Sequence, residues 1–235
     1  AEYGDWTTWV FMGGRGCGKT RAGAEWVRAL VAQASAPIRI ALVAETYLDA
    51  RQTMVEGVSG LMNIGPHTER PRYMPSLRQL RWANGARAQI FSYEDPEALR
   101  GPQFHYAWCD ELAKWRRGEE TWTMLQLGLR LGERPRQIVT TTPRAAPHLK
   151  RILGAPGTIV THATSYANRA NLSEAFFSGV VASFEGTRLG RQELLGELVD
   201  GYEGALFRRT DIEAARVTRA PVLCRHRHGI SQCFG

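Results

Sequence analysis

Residues 11–23 read FMGGRGCGKTRAG. Two apolar residues run into Gly13, Gly14, Gly16 and Gly18, and a lysine and a threonine follow at once. Glycines at this density let the chain turn tightly and bring its backbone N–H groups together. The next residues, 20–34, place Trp26, Val27, Leu30 and Val31 at helical spacing. A helix opening there adds unpaired N–H groups and a partial positive charge at its first turn. Residues 13–20, GGRGCGKT, fit G-x-x-x-x-G-K-[ST] without a gap. The pattern describes a phosphate cradle. Gly13, Gly14, Arg15, Gly16, Cys17 and Gly18 form the loop, Lys19 reaches the β- and γ-phosphates, and Thr20 offers a hydroxyl to Mg²⁺.

Outward from the loop, strands and helices alternate. Residues 9–12 read as a strand entering the turn. Residues 38–45, after Pro37, form an apolar run suited to a buried parallel strand. Residues 46–61 read as helix. Residues 77–92 hold two strand-like segments around Asn84-Gly85, a pair suited to a tight hairpin. Residues 104–109 form a strand that ends in Asp110 and Glu111, 136–142 a strand stopped by Pro143, and 158–164 a last strand. This order predicts an α/β fold with a mostly parallel central sheet flanked by helices. From Asn171 the character turns helical. Asn171 and Glu174 stand at capping-box spacing, and Leu189, Leu194, Leu195 and Leu198 share roughly one side. The expected organisation is a core over 1–165, a small helical subdomain over 166–215 and a tail over 216–235.

Two further groups complete the candidate chemistry. A carboxylate at the end of a strand, Asp110, suits Mg²⁺, and the adjacent Glu111 suits activation of water. Thr140, Thr141 and Thr142 lie where open α/β sheets bind ligands, so their hydroxyls can sense a phosphate; β-branched strand packing is the other reading. Arg15 in the loop and Arg100 before the acidic strand are candidates to stabilise a transferring phosphate, with a solvated surface role equally open for Arg100. Arg78, Arg81 and Arg87 flank the hairpin. A solvated hairpin is the simpler reading for them, contact with a phosphate backbone the other. Trp6 and Trp9 fit core packing better than a base pocket. Cys224, His226, His228 and Cys233 match no standard zinc spacing.

Composition sets the bounds. The chain of 235 residues has a net charge of +7, which favours a polyanionic partner. No apolar run approaches membrane-spanning length, and residues 1–9 carry no basic-then-apolar leader. Two of the four cysteines, Cys17 and Cys109, fall inside the nucleotide motifs, which argues against a disulfide framework and for a cytoplasmic compartment.

Taken together, GDWTTWVFMGGRGCGKTRAGAEWVR, DPEALRGPQFHYAWCDELAKW and QIVTTTPR resemble the ATPase domain of the large terminase subunit. That family packages DNA in tailed phages and phage-derived gene transfer agents. The resemblance spans about residues 5–209. It implies a RecA-like P-loop NTPase of the ASCE class, with ATP and Mg²⁺ as cofactors. It also implies double-stranded DNA as the cargo, a portal protein and a small terminase subunit as partners, and a homo-oligomeric ring with no membrane association. By motif, Lys19 and Thr20 match the phosphate-loop lysine and the Mg²⁺ hydroxyl, and Arg15 the loop arginine. Asp110 and Glu111 match the metal-holding Asp and catalytic Glu, and Thr140 to Thr142 the coupling motif. Arg100 sits where some members supply an arginine finger to a neighbouring subunit. The departure is the ending, CRHRHGISQCFG, which has no carboxylate where the family's nuclease domain would begin. No nuclease activity is therefore expected, unless a separate chain provides it, and the ending reads like a change of reading frame or an artificial end. Two other readings are a non-catalytic remnant that binds nucleotide or DNA, and a helicase-like translocase.

Overall fold

The computed structural model describes residues 5–199 together with the strand segments 222–226 and 229–233. Residues up to Val199 belong to one compact unit, and Asp200–Gly235 to a second.

The first unit is built on eight strands. They are β1 (Thr8–Gly13), β2 (Arg39–Ala44), β3 (Arg72–Met74), β4 (Gln79–Arg81), β5 (Arg87–Ser92), β6 (Tyr106–Asp110), β7 (Arg136–Thr141) and β8 (Thr158–Ala163). Their order in the sheet is β3-β4-β5-β2-β6-β7-β1-β8. From β5 to β8 all neighbours pair in parallel; β3 and β4 extend the sheet antiparallel. The expected parallel α/β sheet is thus present. Strands β6 and β7 are buried on both faces because both are covered, and β2 is buried beyond its exposed first residue, Arg39. Register matters most at one end: Asp110 stands beside Thr140, and Met12 beside Thr141. The exits of β1, β6 and β7 therefore meet at one edge.

Helix α1 (Lys19–Gln33) covers one face with Ala24, Val27 and Val31, while Trp26 and Leu30 pack at its margin. A side chain at Gly23 would collide with the ring of Trp108, so α1 lies directly on β6. The other face is covered by α3 (Gly118–Gly128) and α4 (Pro147–Leu153), through Trp122, Leu125, Leu149 and Ile152.

Three expectations shift. The helix read over 46–61 is short. Its first turn, α2 (Tyr47–Asp49), has a Thr46–Asp49 capping box and passes into a π-helix, Ala50–Val55. There it ends, because the Asn63 amide donates to the carbonyls of Glu56 and Gly57 and closes the last turn. The hairpin at Asn84-Gly85 forms as read, with Gly85 at φ 86°, and gains the unforeseen strand β3. The capping box at Asn171 does not form. Ser173 caps α5 (Glu174–Phe176), while Asn171 ends the 3-10 helix Ser165–Asn171 and donates to Asn168. A π-helix, Phe177–Val181, and α6 (Ala182–Phe184) follow, then α7 (Arg188–Glu193), capped by Thr187. Since α7 stops before Leu194, the leucines do not share one helical side. Leu194 is 2% exposed and Leu189 47%.

In the second unit β9 (Val222–His226) and β10 (Gly229–Cys233) pair antiparallel. The rest of the tail, and the 200–215 end of the expected helical subdomain, lie outside the described residues. No helix among the described residues is long and apolar enough to cross a membrane.

Burial sorts the leucines energetically. Leu194→Ala is expected to cost about 2–5 kcal/mol in urea unfolding, and Leu189→Ala to stay within about 0.5 kcal/mol. Equal losses would contradict the placement of α7.

Candidate active site

The glycine loop leaves β1 under close confinement. A side chain at Gly13 would stand 2.5 Å from the Ala163 carbonyl, and one at Gly14 2.5 Å from the Leu194 carbonyl. Gly16 and Gly18 hold φ values of +70° and +95°, open to glycine at little cost. Lys19 then starts α1 with its ammonium turned back into the loop. Nζ donates to the carbonyls of Gly13 at 3.0 Å and Gly14 at 2.8 Å. Thr20 follows on the wall of the adjoining cleft. Cys17 is buried, and burial pushes its thiol pKa up, so it serves packing rather than nucleophilic chemistry.

The opposite wall comes from β6 and β7. Trp108 Nε1 donates to the Thr140 hydroxyl at 2.8 Å, and that hydroxyl donates to Asp110 Oδ1 at 2.6 Å. Asp110 is 7% exposed. Burial pushes its carboxyl up to about 6, against the pull of the Thr140 hydrogen bond. Glu111, just past the strand, takes a left-handed backbone at φ 48°. Its carboxylate accepts from the Thr142 N–H at 3.3 Å and hydroxyl at 3.4 Å, with Lys114 Nζ at 3.6 Å. Thr141 accepts from the Ala113 N–H, and Trp115 Nε1 donates to the Asp110 carbonyl, so the turn after Glu111 is tied down twice.

Between the two walls is a cleft of about 650 Å³. Lys19, Thr20, Glu111, Thr142, Arg144 and Glu193 are among its lining residues, with Arg15, Gly16 and Gly18 at the loop side. Asp110 is set behind this surface with Thr140. Arg15 reaches outward, 70% exposed, and pairs with Glu193 at 3.1 Å. Its backbone is fixed on both sides. Its N–H donates to the Glu193 carbonyl at 2.6 Å, and its carbonyl accepts from Ser165 at 2.6 Å.

Most of the residues read from the sequence are thus brought together. Arg100 is not: it sits outside the cleft, 68% exposed, paired with Glu97 at 3.2 Å. Lys114, Arg144, Asn168 and Glu193 are among the cleft residues that were not foreseen. Lys114 carries a weak signal, a lysine three residues after Glu111, and Arg144 directly follows the Thr-Pro pair. Asn168, whose amide donates to the Gly16 carbonyl at 2.6 Å, and Glu193 carry none, being more than 150 residues from the loop.

The family profile described as "Terminase large subunit, T4likevirus-type, N-terminal" matches residues 10–214. The chain belongs to the terminase large subunit family. Solved terminase structures share the fold. The large terminase of a thermophilic bacteriophage, in complex with ADP, aligns at a TM-score of 0.68 and 14% identity over 85% of this chain and 50% of that one. The ATPase domain of the Thermus phage P74-26 large terminase aligns at 0.60 and 18%, over 84% and 90% respectively. The HK97 bacteriophage large terminase aligns at 0.59 and 19%, over 82% and 47%. This terminase chain therefore spans about half the length of the ADP-bound protein and matches most of the separate P74-26 domain. Among curated proteins none matches it.

The raised carboxyl of Asp110 gives the terminase domain a pH signature. The folded state holds this proton up to about pH 6, while the unfolded carboxyl releases it near 3.8. The unfolded state therefore binds fewer protons between those values, and stability falls as pH rises through the window. In metal- and nucleotide-free protein, Asp110→Asn should unfold at higher urea than wild type at pH 8. The difference should shrink as pH falls toward 4. A gap that does not change with pH would refute the buried carboxyl as its source.

Proposed function

We propose that this domain hydrolyses ATP with Mg²⁺, and that the resulting movement drives double-stranded DNA into a procapsid through a portal. The observation that carries the reading is the pair of facing walls: the Lys19 loop on one side, the Glu111–Thr142 contact on the other. Membership of the terminase family supports the choice of cargo.

Loop amides and Lys19 hold the phosphates, and Lys19 exchanges two loop carbonyls for phosphate oxygens. The Thr20 hydroxyl and the Asp110 carboxylate form a hard-oxygen donor set that suits Mg²⁺. Mg²⁺ held there would supply positive charge against that of the phosphates. Thr140 aims the Asp110 oxygen, and Trp108 fixes Thr140. Glu111 orients the attacking water and takes its proton, with its carboxylate positioned by Thr142. Arg15 adds positive charge at the loop once it leaves Glu193. Thr140, Thr141 and Thr142 touch Asp110, the Ala113 turn and Glu111 in sequence, so loss of the γ-phosphate is felt along β7. The exposed guanidinium of Arg100, on leaving Glu97, reaches the site of a neighbouring copy in a ring, and the small terminase subunit completes the assembly.

Phosphate release under Mg²⁺ tests the reading. Lys19→Ala and Glu111→Gln should each lower turnover by about 10²–10⁴-fold. Glu111→Gln should keep its affinity for a fluorescent ATP analogue, and Lys19→Ala should lose it. Turnover within twofold of wild type in either variant would overturn the assignment.

A further inference from the structure

Parallel sheets are normally covered on both faces. Here one stretch is not. On the face that carries α3 and α4, the starts of β2 and β5, with Gln79 of β4, line an open cleft of about 490 Å³, bordered by Gln103 and Phe104. The register explains its character. Arg72 pairs with Arg81, Arg81 with Arg87, and Arg87 with Arg39. Cross-strand partners point to the same face, so four arginines form one row across four adjacent strands. At about 4.8 Å per strand the row is about 14 Å long.

Like charges placed directly opposite in a sheet are destabilising. In this row nothing offsets them. Among the described residues none of the four guanidinium groups pairs with a carboxylate. The side-chain hydrogen-bond partners beside the row are neutral. Arg81 donates to Gln79, Gln79 to Gln89, and Gln89 to the Leu77 carbonyl, which makes a second, uncharged row beside the first. Arg39, Arg72 and Arg87 are exposed and Arg81 half-buried.

We propose that this row is the surface on which the domain grips the phosphate backbone of duplex DNA. Guanidinium groups match phosphate in geometry as well as charge. Strands hold them at fixed spacing, and the row is about as long as a major groove is wide, roughly 12 Å. It reaches phosphates on both sides of that groove without reading bases, as a translocating motor requires. The row lies at the starts of β2 and β5, away from the strand ends that form the ATP cleft. This inference rests on the proposed DNA cargo, but not on the proposed hydrolysis.

The test is anisotropy of a labelled random-sequence duplex with the whole chain, over a KCl series. Wild type is compared with the quadruple Arg→Gln variant at 39, 72, 81 and 87, and with Arg151→Gln, a charge-matched control for one substitution on α4. The slope of log K against log[KCl] should flatten by about 0.9 for each phosphate contact removed, up to about 3.6 for the four. The control should shift it by less than 0.9. The thermal midpoint of the quadruple variant should hold or rise, and if it falls, the single variants Arg39→Gln and Arg87→Gln decide by the same slope. DNA-free ATP turnover reads separately on the Lys19–Glu111 site and should not change. A wild-type slope in the variants, or no duplex binding by wild type, would overturn the proposal. Absent turnover with a flattened slope would instead overturn the proposed hydrolysis and leave this surface standing.

Discussion

An ionisable carboxylate buried at the end of a strand has to be held in place by something that does not move. For Asp110 that support is a single run of hydrogen bonds, Trp108 to Thr140 to Asp110. The indole is fully buried and needs an acceptor for its N–H, the Thr140 hydroxyl accepts that bond, and its own proton is aimed at Asp110 at 2.6 Å rather than at the more distant Cys109 carbonyl at 3.4 Å. The support extends beyond the run. Trp108 is pressed from above by α1 at Gly23, and the β6–β7 register sets Thr140 beside Asp110. A slip of one residue would send Thr140 to the other face and break the run from Trp108 to Asp110. The position of the helix behind the glycine loop and the position of the acidic pair are therefore one constraint.

The loop itself is confined from the other side. Residues 162–168 and 193–196 close on it through Ser165, Asn168, Glu193 and the Leu194 carbonyl, and His162 holds the Gly196 carbonyl at 2.7 Å. These contacts are mostly to backbone atoms. The loop is thus a joint between the sheet and the helical segment that follows it, spanned by the side chains of Arg15, Ser165 and Asn168. The carbonyls that hold Lys19, those of Gly13 and Gly14, directly precede the Arg15 N–H that donates to Glu193 at the end of α7. That gives a physical basis for transmission through the proposed motor.

What was legible in the sequence follows from what is local. The loop, α1 and the central strands announce themselves because glycine spacing, apolar runs and terminal acids lie within a few residues of one another. The Asn84-Gly85 hairpin was legible for the same reason. Helix boundaries near Asn171 and Leu194 were not, since Ser173 and Thr187 compete as caps and Leu194 is drawn into the phosphate-loop contact. Residues such as Asn168 and Glu193 earn their places through contacts across more than 150 positions of chain, which no spacing encodes. The arginine row was half visible: Arg81 and Arg87 flank a hairpin in plain sight, but only the pairing of β3 and β2 onto it adds Arg72 and Arg39.

Glu111 is caught between two demands. Its backbone is left-handed at φ 48°, a conformation that costs a non-glycine residue about 1–2 kcal/mol. The residues that tolerate it best are glycine, asparagine and aspartate. Each of those would relax the main chain and fail at the tip, because glycine has no carboxylate, asparagine no charge, and aspartate is a methylene too short to meet Thr142 from the same Cα. Reach and comfort cannot be had together at this position. The chain keeps reach, and the turn that follows, anchored by Thr141 and Trp115, is what holds the uncomfortable backbone there.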